Sequence, residues 1–399
     1  MLPASPKELT EAVILEACAD GWPETQTLDF KWSLPGTTDD DRAEFLKDIC
    51  SFANSDGGDI VYGISDRHSR ANQVVPIQGL APDLVRRRLT QMIAAIEPRI
   101  SSIKMEPVQL ATGGFVWVIR VPSSFDAPHT HRRDGLYRFA LRNGTLTSDM
   151  SYDQLRTAFD RSAALATQAR AFRESRNVAI ASPTHSKNML DLGPLLVVHV
   201  IPLSAMTGRK AIDVGALHDG DYSKFAQRAW GAVTTRTLNI DGLRVHPGVE
   251  VGQIPLAYSL IFRTGCFEAV RNVGHARIGP DIIPSTVLAG TVCDMVSKFV
   301  QGAVDLGFSG PAIIAVSLLR VDGTQLGLGE RYTQQIAPMA DRPNLIVPET
   351  WIDSLEAFGN VHAVARPILD TLWQSFDEPQ CREYDSNGNW NGGDPFCDL

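Results

Sequence analysis

The stretch FLKDICSFANSDGGDIVYGISD, residues 45 to 66, leaves the chain little freedom in how it folds. Leu46, Ile49, Cys50 and Ala53 recur at helical spacing, and Asp39, Asp40 and Asp41 ahead of them complement the positive end of a helix. Gly57 and Gly58 stop that helix near Asn54. The run DIVYGI, Asp59 to Ile64, then reads as a strand that delivers Asp66 at or just past its C-terminal end. A helix turning this abruptly into an apolar strand requires layered α and β structure.

The flanking segments extend the pattern. A helix is expected over residues 6–19, and the alternation Gln26, Leu28, Phe30 marks a strand that sends Asp29 and Lys31 to its other face. Pro82 suits a first helical position ahead of the stripe Val85, Leu89, Met92, Ile93 and Ile96, which Pro98 ends. Strands follow near 103–110 and 115–121, joined at Gly113 and Gly114, and GLYRFALRNGT alternates like a hairpin strand. Tyr152, Leu155 and Phe159 open a helix reaching Arg176. Beyond it, LLVVHVIPL, AYSLIFRTGCFEAV, the stripe Val292, Met295, Val296, Val300 and AIIAVSLL predict a second α+β layer.

The expected organisation is therefore an N-terminal helix to residue 20, an α+β domain over 21–160 built on a mixed sheet, and a helix and linker over 161–190. A second α+β domain of unknown type follows over 191–376, with a mobile tail over 377–399.

Composition narrows the function. No run of about 18 apolar residues is present, which predicts no membrane association and a cytoplasmic chain. Six cysteines lack the paired short spacing of a structural zinc site. The net charge of −9 restricts any nucleic-acid contact to a local patch, and 21 of the 37 Lys and Arg residues fall within residues 1–180. Neither a phosphate-binding G-x-x-x-x-G-K-[ST] loop nor a G-x-S-x-G elbow is present, so neither a Walker-type ATPase nor a Ser-His-Asp hydrolase is expected.

In PETQTLDFKWS, the acid and the amine of Asp29 and Lys31 share one strand face, with Glu24 just before them. A surface strand carries such a pair often enough that the tripeptide alone favours a solvated edge. The proposed layout also brings Asp66 alongside. Ionised carboxylates about 4 Å apart repel by roughly 4 kcal/mol at an effective dielectric of 20, so three of them call for a cation, a lysine or protonation. Hard oxygen donors with no local Cys or His pair favour Mg²⁺ or Mn²⁺.

ETQTLDFK, SFANSDGGDIVYGISD, VIRVPSSFDAPH and GLYRFALRNGT together resemble the Schlafen AlbA-type domain, also called the divergent AAA domain, in consistent order over about residues 20 to 160. The resemblance implies a nucleic-acid-binding α+β fold and, in some members, a metal-dependent endoribonuclease that cuts tRNA or rRNA with three acids. Those acids fall on Glu24, on Asp29 where many members carry Glu, and on Asp66, with Lys31 matching the lysine that follows.

The expected activity is thus divalent-metal-dependent phosphodiester hydrolysis of structured RNA, tRNA favoured, with a place in defence against phage. Glu24, Asp29 and Asp66 would hold metal, and Lys31 would steady the phosphate. A non-catalytic DNA- or nucleotide-binding regulator with a sensing second half is the alternative. Arg132, Arg133, Arg138 and Arg142 are expected to grip phosphates, and His129 to make a phosphate contact or a loop-fixing hydrogen bond. Arg86, Arg87 and Arg88 read as a solvated helix face from which one side chain reaches RNA. Family members in animals pair two related lobes, and a homodimer would supply the second one here.

Overall fold

The computed structural model describes residues 9–100, 103–182, 193–208, 211–227, 234–248, 257–274, 281–328 and 335–392. The chain divides into two compact units, Met1–Ala164 and Leu165–Leu399. Both mix helices and strands, as the periodicities require.

Unit 1 is built on four strands: β1 (Leu28–Lys31), β2 (Gly58–Tyr62), β5 (Lys104–Gln109) and β6 (Phe115–Val121), in spatial order β1-β2-β6-β5. β1 runs parallel to β2, and the other pairings are antiparallel, so β1 is an edge strand. The parallel pair is possible because helix α2 (Asp39–Ala53) crosses between its strands. α2 starts in a capping box, Thr38 accepting from the Asp41 amide while the Asp41 carboxylate accepts from Thr38.

The two faces of this sheet bury separate cores. Phe45, Ile49 and Phe52 of α2 meet Ile60, Trp117 and Ile119 together with Leu89 of helix α3 (Pro82–Ile93). On the opposite face Ile14 of helix α1 (Glu11–Ala19) packs with Leu28, Phe30, Val61 and Val118. Each such side chain contributes roughly 1.5–3 kcal/mol when fully buried.

The double glycine has a steric cause. Gly57 lies at φ +73°, where an added Cβ would stand 2.5 Å from the Ser123 amide nitrogen, and a Cβ on Gly58 would stand 2.4 Å from the Thr27 carbonyl oxygen. The Tyr62–Ile64 stretch does not continue as one strand. At Gly63 the chain breaks into a small hairpin of β3 (Ile64–Asp66) and β4 (Ala71–Val74). The arginine-rich segment folds as two hairpins, β7 (His131–Arg133) with β8 (Leu136–Arg138), and β9 (Ala140–Asn143) with β10 (Leu146–Asp149). Helix α4 (Tyr152–Ala181) continues five residues past the expected end.

Unit 2 holds an antiparallel sheet in which the strands Leu195–Pro202 and Ala312–Leu319 pair along their whole lengths, every residue of both being buried. Residues 257–262 and 267–272 form the expected strand pair. The helix Ser285–Asp305 has the length and hydropathy of a membrane span, yet Leu288, Val292, Met295 and Phe299 are buried inside the unit.

The expectation of a mobile tail is corrected as far as residue 392. Cys381 and Tyr384 are buried, Tyr384 hydroxyl lies 3.1 Å from His362 Nδ1, and Ser285 Oγ donates to Glu383 Oε1 at 2.7 Å. Residues 393–399, and the expected linker from residue 183 onward, lie outside the described residues. The five described cysteines form no disulfide.

Candidate functional site

β1 alternates as expected: Leu28 and Phe30 enter the α1 core, while Asp29 and Lys31 face α2. There Lys31 Nζ lies 3.0 Å from Asp29 Oδ2 and 3.2 Å from Asp48 Oδ2. Asp29 is 5% exposed and Asp48 6%, whereas the lysine side chain is 36% exposed. An ammonium is therefore pinned between two buried carboxylates with part of its surface in solvent.

The residue missed from sequence is Asp48. Its signal was present: Phe45, Asp48, Ile49 and Phe52 follow the i, i+3, i+4, i+7 spacing of a buried stripe, so an acid stands where an apolar residue would pack. Burial pushes the Asp48 carboxyl up to about 6, against the pull of the Lys31 charge. Burial works to lower the lysine, but the charges of Asp48 and Asp29 outweigh it and hold the ammonium above its ordinary value.

Glu24 lies on the other side of Asp29 and is half-buried. Its Oε1 accepts from the Phe30 amide at 3.2 Å, and its own amide donates to Ser69 O at 2.8 Å. That carbonyl belongs to a turn in which His68 and Ser69 both hold positive φ, 54° and 55°, the backbone a tight hairpin turn needs. Burial, followed by the neighbouring Asp29 charge, raises the Glu24 carboxyl.

Asp66 ends β3 on the same hairpin, but its side chain is exposed. Among the described residues no three His, Cys, Asp or Glu side chains close into a metal-holding group.

Burial corrects the expected phosphate contact of Arg142, and of the two roles expected for His129 the structure shows the loop-fixing hydrogen bond. Arg142 is 3% exposed; its guanidinium donates to the Thr25 and Leu28 carbonyls and lies 3.5 Å from Asp29 Oδ1, stacked over Phe52. It clamps β9 to the start of β1. His129 is fully buried, its Nδ1 2.8 Å from Pro98 O and its amide donating to Asn54 Oδ1. Burial lowers its pKa, so the ring is neutral and fixes the loop. Asn54 also donates to the His129 and Ala140 carbonyls, so the FANSDGG segment ties α2 to both.

The remaining arginines stay at the surface. Arg132 stacks on Tyr137, Arg133 reaches Asp40 and Glu44, and Arg138 pairs with Asp149 at 3.3 Å. Exposed pairs of this kind are worth about 0–1 kcal/mol and open readily to an incoming phosphate.

The cluster of Glu24, Asp29, Lys31, Asp48 and Arg142 carries three carboxylates against two cations. Mg²⁺ and Mn²⁺ bind through one or two carboxylates plus substrate phosphates, and the Glu24–Asp29 pair, whose repulsion already raises Glu24, fits that donor set. Lys31 supplies a fixed positive charge for an anionic centre.

Comparison with known proteins bears on unit 1. The family model described as Schlafen, AlbA_2 matches residues 24–151. Curated proteins provide no match. Among solved structures, the chain is similar to the DIP2311 protein from Corynebacterium diphtheriae at 18% identity and a TM-score of 0.24, over 35% of this chain and 29% of that one. It is also similar to the N-terminal domain of an ATP-dependent DNA helicase RecG-related protein from Nitrosomonas europaea, at 19% identity and a TM-score of 0.26, over 36% of this chain and 93% of that one. The chain thus spans under a third of the first of these proteins and most of the second fragment.

Proposed function

From the premise that residues 24–151 are a Schlafen AlbA-type domain, we propose that unit 1 binds nucleic acid and hydrolyses its phosphodiester bonds, acting as a divalent-metal-dependent endoribonuclease on structured RNA such as tRNA. One observation carries the reading: the partly exposed Lys31 ammonium is held between buried Asp29 and Asp48 beside the half-buried Glu24. A lysine needed only for a surface ion pair does not require two buried partners, since burying each carboxylate costs several kcal/mol before pairing.

In this reading Lys31 meets a non-bridging phosphate oxygen, whose negative charge grows as the nucleophile attacks. Asp29 and Asp48 are its positioning residues and remove the freedom of a long side chain. Glu24 and Asp29 would hold Mg²⁺ or Mn²⁺, which when bound supplies Lewis-acid polarisation of the phosphoryl group. Arg132, Arg133 and Arg138 would exchange their carboxylate and ring partners for flanking phosphates.

Purified chain is incubated with tRNA and Mn²⁺, and cleavage is followed on denaturing gels. The expected result is cleavage that is lost with Lys31→Ala and with Glu24→Gln. Absence of cleavage by wild type, or equal cleavage by Lys31→Ala, overturns the hydrolytic reading.

A second reading, a non-catalytic nucleic-acid-binding regulator, draws support from the exposure of Asp66 and from the lack of a three-donor metal group among the described residues. Binding that survives EDTA and the combined Glu24→Gln, Asp29→Asn and Asp66→Asn substitutions, with no cleavage at any metal concentration, would favour it.

A further inference from the structure

We propose that Trp32, Arg42 and Arg88 form a subsite for an unpaired nucleotide beside Lys31, with the base on the Trp32 indole and a phosphate on the two guanidiniums. The inference rests on the nucleic-acid reading above and deepens it, since it specifies single-stranded nucleic acid as the ligand.

Trp32 directly follows Lys31 and is 68% exposed, with no ring contact among the described residues. Exposing an indole forfeits much of its apolar burial, so its place next to the charged cluster is the first observation. Among the other exposed rings of unit 1, Arg132 lies over Tyr137 and Phe139 meets Phe159 edge-on, while Tyr152, 78% exposed, opens helix α4 away from the β1–α2 loop in sequence.

The second observation is independent. Four residues further on, the same loop reaches a cavity of about 250 Å³ lined by Gly36, Thr37, Arg42, Arg88, Gln91 and Met92. That volume suits a phosphate group or a base and is too small for a drug-sized ligand. Arg88 Nη2 donates to Pro35 O at 2.7 Å, which anchors its guanidinium against the loop. Arg42 is exposed and makes no side-chain hydrogen bond or ion pair among the described residues, although Asp39, Asp40 and Asp41 precede it. The Asp41 carboxylate accepts from the Thr38 amide and hydroxyl, the latter at 2.7 Å, and lies against Gly36 of the cavity lining.

The loop from Trp32 to Gly36 spans at most roughly 14 Å when fully extended, short enough for one strand to touch both places. A base on an indole and a phosphate on arginine is the pairing by which single strands are held without sequence preference. A duplex keeps its bases stacked inside and has none to offer Trp32.

The test measures anisotropy of a short labelled oligonucleotide as single-stranded RNA, single-stranded DNA and duplex, in EDTA to prevent cleavage, with full-length protein. Trp32→Ala is expected to weaken single-strand binding by roughly 5- to 100-fold and to leave duplex binding unchanged, with Trp32→Phe keeping most of the affinity. Arg42→Gln, which disturbs no internal contact, should lower the salt dependence by about one phosphate contact. Arg88→Ala serves only alongside it, because it also frees the loop at Pro35. Equal loss on single strands and duplex, or no loss with Trp32→Ala and Arg42→Gln, overturns the subsite. Wild type binding duplex alone also overturns it while leaving the nucleic-acid reading standing. If wild type binds none of the three, both fall.

Discussion

Lys31 Nζ lies 3.2 Å from Asp48 Oδ2, a contact that joins the edge strand of the sheet to the helix packed on it. The helix stripe supplies the acid and the strand alternation supplies the amine, so neither segment alone shows the pair. If Asp48 serves to position Lys31, Asp48→Asn should lower cleavage by about tenfold with KM little changed, while Lys31→Ala should cost about 10²–10³ in kcat. Lys31→Arg should recover only part of the loss, because a planar guanidinium cannot occupy the same point between two carboxylates. Steady-state cleavage of tRNA by these variants checks the order. Asp48→Asn matching wild type in both constants would remove Asp48 from the mechanism.

The raised carboxyl of Asp48 has a stability signature. Because the folded chain holds this proton up to about pH 6 and the unfolded chain releases it near 3.8, the folded state binds more protons between those values. Stability from this group is therefore greatest below about pH 4 and falls as pH rises toward 6, by up to about 1.4 kcal/mol per pH unit. Asp48→Asn should remove that slope. Urea unfolding of both proteins at intervals from pH 4 to 7 checks it, and parallel curves would place the titration elsewhere.

Arg142 makes a contrasting prediction, for structure alone. Its guanidinium donates to the Thr25 and Leu28 carbonyls, which also accept from each other's amides, and it lies beside the buried Asp29 carboxylate. Arg142→Ala should destabilise unit 1 by about 3–5 kcal/mol, as expected on breaking a buried charge cluster, and Arg142→Lys should recover only part of this. Thermal unfolding checks it. A variant with unchanged stability and weakened nucleic-acid binding would return Arg142 to the phosphate-contact role.

The contrast between Arg142 and Arg132 explains what the sequence could and could not say. The helix stripe of α2, the alternation in β1 and the apolar runs of unit 2 were legible because periodicity depends on neighbours within one element. Arg142 meets Thr25 across 117 positions, and His129 meets Pro98 across 31, so their burial depends on folding that no local pattern records. The same holds for the Asn- and Gly-rich segment after residue 377, whose composition suggested mobility while Tyr384 packs against His362. Glu24 and Asp29 came together because only four residues and one turn separate them. Asp66 depended on where the hairpin after Gly63 would point, and Asp48 was hidden among apolar residues that the stripe had already claimed for the core.

In unit 2 the decisive pair is Glu268 with Arg176. Glu268 is fully buried and accepts from Arg176 Nε at 2.7 Å and Nη2 at 2.9 Å, while Tyr258 hydroxyl donates to it at 3.0 Å and His199 Nε2 lies 3.1 Å away. Burial alone would raise this carboxyl, but the Arg176 and His199 hydrogen bonds and charges prevail and bring it down to about 2. A depressed carboxyl stabilises the fold above its unfolded value near 4.5 and loses that contribution as pH falls through about 2. Glu268→Gln should therefore cost about 3–5 kcal/mol at neutral pH, since the arginine keeps its charge without a counter-ion. The loss should shrink as the wild type is acidified toward pH 2. Replacing both residues, Glu268→Leu with Arg176→Met, should restore much of the stability, because an apolar pair needs no charge compensation in that site. Urea denaturation of the wild type and the two variants from neutral pH downward decides it: a double variant as unstable as Glu268→Gln alone would mean that the pair holds the sheet by geometry, not by charge balance.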